Sequence, residues 1–276
     1  MDAASEVLRV ERDGHVATLW LDDPARRNAM GPAFWEALPR LFAELSDDPA
    51  VRVVLIAAQG PHFTVGLDLK AFGSTFVAGG DTGSDSEAAR RTRLRRMVKR
   101  MQGAINAVAD CPKPVIAAVH GYCIGGGIDL ITACDIRLAA ADARFSVRET
   151  KIAIVADVGT LQRLPGIVGD GHVAELCFTG KDIPAARAKE IGLVNDVHPD
   201  TEALWASARA LAAEIAANSP LAVQGTKAVL RKRREREIAD GLDYVALWNS
   251  AFLQSNDLGE AMAAFLEKRP PKFRGE

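Results

Sequence analysis

Two short apolar runs constrain this chain most. Val51-Arg52-Val53-Val54-Leu55-Ile56-Ala57 is a nearly continuous β-branched and aliphatic run, and Val115-Ile116-Ala117-Ala118-Val119 is apolar throughout. A strand with one wet face alternates polar and apolar residues. These two do not, so each reads as a strand buried on both faces. Between them, Leu94, Met97, Val98, Met101, Ile105 and Val108 recur on one helical face, and Pro112 and Pro114 end that helix. Residues 6–10 and 15–21 read as short strands around the turn Arg12-Asp13-Gly14, and residues 32–46 as a helix through Phe34, Leu38, Leu41, Phe42 and Leu45. Ile136-Arg137-Leu138-Ala139-Ala140 reads as a third strand of the series.

Strand–helix alternation to about residue 195 argues for an α/β class. Beyond it the pattern is helical over 201–217, 220–237, 239–254 and 257–268. His198-Pro199-Asp200 therefore divides an α/β core, 1–198, from a C-terminal helical region, 199–276, expected to serve oligomerisation. Residues 73–86, rich in Gly, Ser and Asp, read as a mobile loop.

The chain of 276 residues is long enough for a sizeable core, and its formal net charge of −2 draws it neither to nucleic acid nor to an anionic membrane. No stretch approaches the ~18 apolar residues of a membrane span. Cys111, Cys123, Cys134 and Cys177 form no CxxC pair and stand near no His cluster, so neither a disulfide scaffold nor a metal site is expected. Reduced thiols suit a cytoplasmic protein. The first residues lack a basic-then-apolar leader, and Phe273-Arg274-Gly275-Glu276 is not a peroxisomal address.

The second apolar run leads into His120-Gly121-Tyr122-Cys123-Ile124-Gly125-Gly126-Gly127, where a helix begins that ends near Cys134. Glycines let backbone approach a ligand, and N–H groups at a helix start lack partners and attract negative charge. An oxyanion fits there. A tight strand-to-helix turn explains the same glycines. The spacing is not G-x-G-x-x-G, so no dinucleotide fold is implied. His62-Phe63-Thr64-Val65-Gly66-Leu67-Asp68-Leu69 follows the first run in the same way. Both loops lie beyond strand ends, where α/β sites form, and together could present two N–H donors to one carbonyl oxygen.

Val65–Leu69, His120–Gly127, Ala133-Cys134-Asp135-Ile136-Arg137 and Gly159-Thr160-Leu161-Gln162-Arg163-Leu164-Pro165 resemble the enoyl-coenzyme A hydratase/isomerase (crotonase) superfamily. Arg26-Arg27-Asn28-Ala29-Met30 and Glu267-Lys268-Arg269-Pro270-Pro271-Lys272-Phe273 extend the similarity to both ends. The resemblance implies a crotonase-like spiral of ββα units with a helical C-terminal region, a homotrimer or hexamer, and an acyl-CoA thioester substrate. No separate cofactor is implied, since coenzyme A is part of the substrate. It also implies that Leu67 and Gly126 N–H form the oxyanion hole, and that Asn28, Ala29, Val65, Gly66, Asp68, Leu69, Gly125 and Lys272 meet the substrate.

The family's hydratases carry Glu where this chain has Asp129, Glu at Glu149, and Gly where it has Asp157. Asp129, Glu149 and Asp157, with Ala156-Asp157-Val158-Gly159, instead resemble the Δ3,5-Δ2,4-dienoyl-CoA isomerase branch, which moves a proton between C2 and C6 of the acyl chain. The chemistry is coherent. Deprotonation α to a thioester collects charge on the carbonyl oxygen, where one preorganised donor is worth roughly 2.7–4 kcal/mol. Returning the proton four carbons away favours two carboxyls, and burial with mutual repulsion keeps one protonated while another is ionised. Surface solvation or capping would also explain acids here; Asp157 could N-cap a helix starting at Val158.

The basic run of Arg90, Arg91, Arg93, Arg95, Arg96, Lys99 and Arg100, and that of Arg231 to Arg236, read first as solvated helix faces, and second as contacts for coenzyme A phosphates or RNA. No aromatics interleave them, which disfavours nucleic acid. His62 and His120 read as structural hydrogen-bonders. The sequence thus supports an isomerase of dienoyl-CoA type first, a hydratase or other crotonase-type lyase second, and an RNA-binding homologue third.

Overall fold

The computed structural model describes residues 7–78 and 86–276, without the side chains of residues 74–78. A tight turn at Asp13-Gly14 joins β1 (Leu8–Asp13) to β2 (Val16–Leu21) as an antiparallel hairpin, in which Asp13 pairs with Val16. After α1 (Pro32–Asp47), β3 (Val53–Ala58) pairs parallel with β2, Thr18 opposite Leu55. Then come α2 (Leu69–Ala78) and the long α3 (Glu87–Asp110), whose N-cap Ser86 accepts the N–H of Ala89. The stretch read as a loop over 73–86 is thus helical to Ala78; residues 79–85, like 1–6, lie outside the described residues. Gly73 and Ser74 stand inside that helix, where composition alone argues for a turn.

β4 (Val115–Val119) pairs parallel with β3. β5 (Tyr122–Ile124), α4 (Gly126–Ala133), β6 (Ile136–Ala140) and β7 (Arg144–Ser146) follow in close succession. After α5 (Thr160–Arg163) and α6 (Asp170–Thr179) come β8 (Ile183–Pro184), α7 (Ala185–Glu190) and β9 (Asp196–His198). The main sheet has the order β1-β2-β3-β4-β6-β9, and β5-β7-β8 form a second, smaller sheet.

Both faces of the main sheet are covered, as the apolar runs require. Along β3, Val54, Ile56 and Ala58 enter the core shared with α1 and α3, while Val53, Leu55 and Ala57 enter the core on the other face. That second face is roofed by α8 (Thr201–Ala216), which buries Leu204, Ala208, Ala212 and Ala216 at a four-residue repeat. Alanines at this spacing let the helix lie close to the strands. α9 (Pro220–Lys232) is pinned by the Lys227 ammonium, which donates to Asp135 Oδ2 at 2.6 Å and to the carbonyl of Lys113 at 2.9 Å. α10 (Glu235–Phe252) packs along α3, and α11 (Asn256–Glu267) closes a third apolar cluster of Leu94, Val98, Ile154, Leu253 and Met262. No helix among the described residues is long and apolar enough to cross a membrane.

Candidate active site

β3 and β4 run parallel, so the loops after them leave the sheet at the same edge. The loop after β3 is laced in place. Asn28 is 5% exposed, and its side-chain amide donates to the carbonyls of Gln59 (3.0 Å) and His62 (2.8 Å) while its Oδ1 accepts the Asp23 N–H. Thr64 Oγ1 donates to the Asn28 carbonyl and accepts the Gly66 N–H. The Gly66 carbonyl accepts the Met30 N–H at 2.8 Å. Gly66 has φ of +81°, and a Cβ there would lie 2.5 Å from the Ile124 carbonyl oxygen; only glycine lets the two loops touch.

The result is a pair of free donors. Among the described residues, neither Leu67 N–H, just after Gly66, nor Gly126 N–H, the first of α4, has a protein acceptor. They are neighbours: a Cβ built on Gly126 would lie 3.8 Å from Leu67 N. Leu67 and Gly126 line the same cleft.

The three acids line that same cleft. Asp129 is fully buried on α4, where its Oδ1 accepts the Thr160 N–H at 2.6 Å and its Oδ2 has no partner. Glu149 opens a 3-10 turn, Glu149–Ile152, after β7. Its Oε1 would lie 3.4 Å from a Cβ on Gly125, which sets it beside the glycine loop, and its buried Oε2 is unpartnered. Asp157 does not cap a helix: α5 begins at Thr160 with Gly159 as N-cap. Its Oδ2 accepts the Asn249 side-chain N–H at 2.6 Å.

Burial raises all three carboxyls. Asp129 is raised by desolvation, against the Thr160 hydrogen bonds and the Arg163 charge. Glu149 is pushed well above the usual carboxylate range by desolvation and then by the charge of Asp129, with Asp157 adding less. Desolvation takes Asp157 up to about 7, against the Asn249 hydrogen bond. Acids that titrate near neutrality and repel one another suit proton transfer in both directions.

The structure therefore brings together Val65, Leu67, Leu69, Gly125, Gly126, Asp129, Glu149 and Asp157 in one lining. Asn28, Ala29, Gly66 and Asp68 stand behind it; Asp68 Oδ1 accepts the N–H groups of Lys70 and Ala71 at the start of α2. Lys272 is not part of the lining; it is exposed on the C-terminal tail, with its backbone N–H on Glu260. His62 and His120 are also outside it; a His120 ring nitrogen bonds the Gly60 carbonyl. Apolar walls come from Trp35, Met97, Val98, Met101, Ile154 and Leu253.

Asn249 and the Thr160 N–H are site groups that motif reading missed. Asn249 had a signal: it sits at helical spacing after Leu242, Val245 and Ala246, a buried amide on an apolar stripe. Members of both basic runs are ion-paired on the surface, Arg91 with Glu87, Lys99 with Asp243, Arg231 with Asp110, Arg234 with Glu237 and Arg236 with Asp240. All four cysteines are buried and unpaired, and no cluster of metal-ligating side chains occurs among the described residues.

Comparison with known proteins places this geometry in context. Residues 11–276 match the family Enoyl-CoA hydratase/isomerase. A peroxisomal Δ(3,5)-Δ(2,4)-dienoyl-CoA isomerase of Arabidopsis thaliana is 46% identical, covering 97% of this chain and 96% of the relative. A mitochondrial protein of that name from Homo sapiens is 44% identical, over 98% of this chain and 82% of the relative. The crystal structure of an enoyl-CoA hydratase/isomerase from Mycobacterium paratuberculosis superposes with a TM-score of 0.82 at 28% identity, covering 94% of this chain and 98% of that one. The expectation of a cytoplasmic protein does not stand, because these relatives are peroxisomal and mitochondrial. Unpaired thiols exclude only an oxidising compartment, so they never singled out the cytosol. With a ββα spiral, a helical C-terminal region and a family match over nearly its whole length, the chain belongs to the enoyl-CoA hydratase/isomerase (crotonase) family.

Proposed function

We infer that the chain is a dienoyl-CoA isomerase, converting a 3,5-dienoyl-CoA into the 2,4-dienoyl-CoA. One observation carries this reading: three carboxyls, the buried Asp129 and the half-buried Glu149 and Asp157, converge on a largely apolar cleft that also presents two unpartnered N–H groups. The similarity to dienoyl-CoA isomerases from two kingdoms supports it.

In the proposed reaction the thioester oxygen sits between Leu67 N–H and Gly126 N–H. The reactive form is the less populated one, because Glu149 is raised further than Asp157: in it Glu149 is ionised and removes a proton from C2. The C2–H electron pair enters the conjugated system, and its charge rests on the carbonyl oxygen, where the two donors stabilise it. Neutral Asp157 then protonates C6. The C2–H bond breaks and a C6–H bond forms, so the double bonds move from C3 and C5 to C2 and C4. The two carboxyls finish with exchanged protonation states and re-equilibrate before the next turnover. Asp129, held by the Thr160 N–H, raises Glu149 through its charge. Coenzyme A lies outside the acyl cleft, where Lys272 is assigned to approach it, from the same subunit or from a neighbour in the trimer.

The same reading assigns the chain to a homotrimer or a pair of trimers, with 199–276 supplying the interface; the site is built mainly from 1–198, and Asn249 and Leu253 of the helical region complete it. α10 leaves Tyr244, Leu247, Trp248 and Phe252 exposed on one stripe, with the rings of Trp248 and Phe252 4.8 Å apart. A stripe of this kind is normally covered. Light scattering of a monomer at micromolar concentration would remove that assignment.

The activity is tested by ultraviolet spectroscopy with a 3,5-dienoyl-CoA and, separately, a 2-enoyl-CoA. Growth of the conjugated 2,4-dienoyl absorbance is expected. Loss of enoyl absorbance without it would make the chain a hydratase.

A further inference from the structure

Asp157 is gripped by two carboxamides from different helices. Gln102, on α3, donates from Nε2 to the Asp157 carbonyl at 2.8 Å and to the Leu242 carbonyl at 2.9 Å. Asn249, on α10, donates from Nδ2 to the Val155 carbonyl at 2.9 Å and to Asp157 Oδ2 at 2.6 Å. Both amides are 1% exposed. Four donated bonds thus tie α3, α10 and the Val155–Asp157 segment together around one carboxyl.

The orientation of the Asn249 amide follows from its second partner. A backbone carbonyl only accepts, so the atom facing Val155 is the NH₂ group. The same NH₂ therefore faces Asp157 Oδ2. That oxygen must accept in both protonation states, and a proton on Asp157 has to sit on Oδ1. Among the described residues no other residue bonds Oδ1, and it is not among the fully enclosed unsatisfied atoms. Its open side is the cleft that Asp157 lines.

We propose that Asn249 is a positioning residue: it forces the transferable proton of Asp157 onto Oδ1 and aims that oxygen at the distal end of the acyl chain. The inference rests on the isomerase reading. Asn249 is not a catalytic residue, because it touches Asp157 and not the acyl chain. The charged groups facing Asp157 are Asp129 from α4 and Glu149 from the turn after β7; the carboxamides are the neutral partners from α3 and α10. Asn249 also favours the ionised carboxyl, offsetting part of the burial effect.

The test separates the two halves of the reaction. In Asn249→Leu, exchange of the C2 proton with deuterated solvent should continue within about threefold of the parent, because Glu149 is untouched, while isomerisation should fall about 10–100-fold. The limb of the rate profile that reports the Asp157 titration should move up by about one pH unit, since a hydrogen bond to the charged form is gone. Asn249→Ser, which empties the position rather than filling it with apolar bulk, should show the same split. Parental isomerisation with an unshifted limb in either folded variant overturns the proposal, as does equal loss of exchange and isomerisation. A third measurement needs no variant at Asn249. With selective asparagine labelling, the Asn249 side-chain amide resonances should titrate near the Asp157 value of about 7 and stop titrating in Asp157→Asn. A flat titration in the parent overturns the proposal too. If the parent itself yields no 2,4-dienoyl product, the isomerase reading fails, and the titration still reports on the Asn249–Asp157 contact.

Discussion

The backbone N–H of Thr160 donates to Asp129 Oδ1 over 2.6 Å, so this acid holds the first turn of α5 from a position 31 residues earlier. With Oδ1 tied to Thr160 and Oδ2 fully enclosed, this carboxyl is poorly placed to pass protons. It acts on the site through its charge, which is the largest influence on Glu149 after burial. Asp129→Asn keeps an acceptor for Thr160 and removes the charge. Turnover should fall about tenfold or less, well short of the 10²–10⁴-fold that a general acid or base contributes. Steady-state rates on a 3,5-dienoyl-CoA decide this; a loss as deep as that of Glu149→Gln would place Asp129 in the proton path.

Glu149→Gln and Asp157→Asn should each reduce turnover by about 10² or more, with the fold retained because the amides match in size. They should differ in isotope exchange. Asp157→Asn is expected to wash deuterium into C2, since the base is present, whereas Glu149→Gln is not. Equal exchange in both, or parental isomerisation in Asp157→Asn, would remove the two-carboxylate relay.

Gly126→Pro deletes one of the two free N–H donors. Proline is tolerated at the first position of a helix, and its Cβ would meet only the Met30 sulfur, 2.8 Å away at the end of a flexible side chain. The protein should fold, and turnover should drop by about 10² or more if chemistry limits the rate. Near-normal activity in the folded variant would show that Gly126 N–H does not hold the oxyanion.

The buried acids also make stability depend on pH. Their folded pKa values lie above the unfolded ones, so the neutral forms favour the fold below about pH 4, and this contribution is lost as pH rises through the folded values, about 7 for Asp157. Asp157→Asn should therefore raise Tm at pH 8.5 relative to the parent, by roughly 2–4 °C for each kcal/mol recovered, and have little effect at pH 4. Thermal scans at the two pH values measure it. A uniform change at both would mean that burial of the charge is not the cause.

The central strands were legible because burial on both faces leaves few polar residues to alternate: Val115–Val119 is read directly from its apolar run, and Val53–Ala58 from the run 51–57, whose first two residues precede the strand. The four C-terminal helices were legible from periodicity. β5, β7 and β8 were not, since strands of two or three residues carry no measurable alternation. The Ala133–Arg137 motif marks the family, yet its charged members hold structure together. Arg137 donates to the carbonyls of Leu193 and Cys134, and Asp135 binds Val115 N–H and Lys227. The acids were found through resemblance, and their partners were not. Asn249 lies 92 residues from Asp157 in the chain, so only the fold brings the pair together.

The cleft wall carries a further consequence. Met97 and Met101, one turn apart on α3, line the acyl cavity opposite branched neighbours such as Ile152 and Ile154. Methionine is unbranched and turns about three bonds at little cost. The two N–H donors are fixed by backbone and the Asp129 and Asp157 carboxyls by hydrogen bonds, whereas this wall is free of such ties and can adapt by rotamer. One unchanged fold can therefore accommodate acyl chains of different bend, so breadth of substrate shape and precision of proton delivery do not compete for the same atoms.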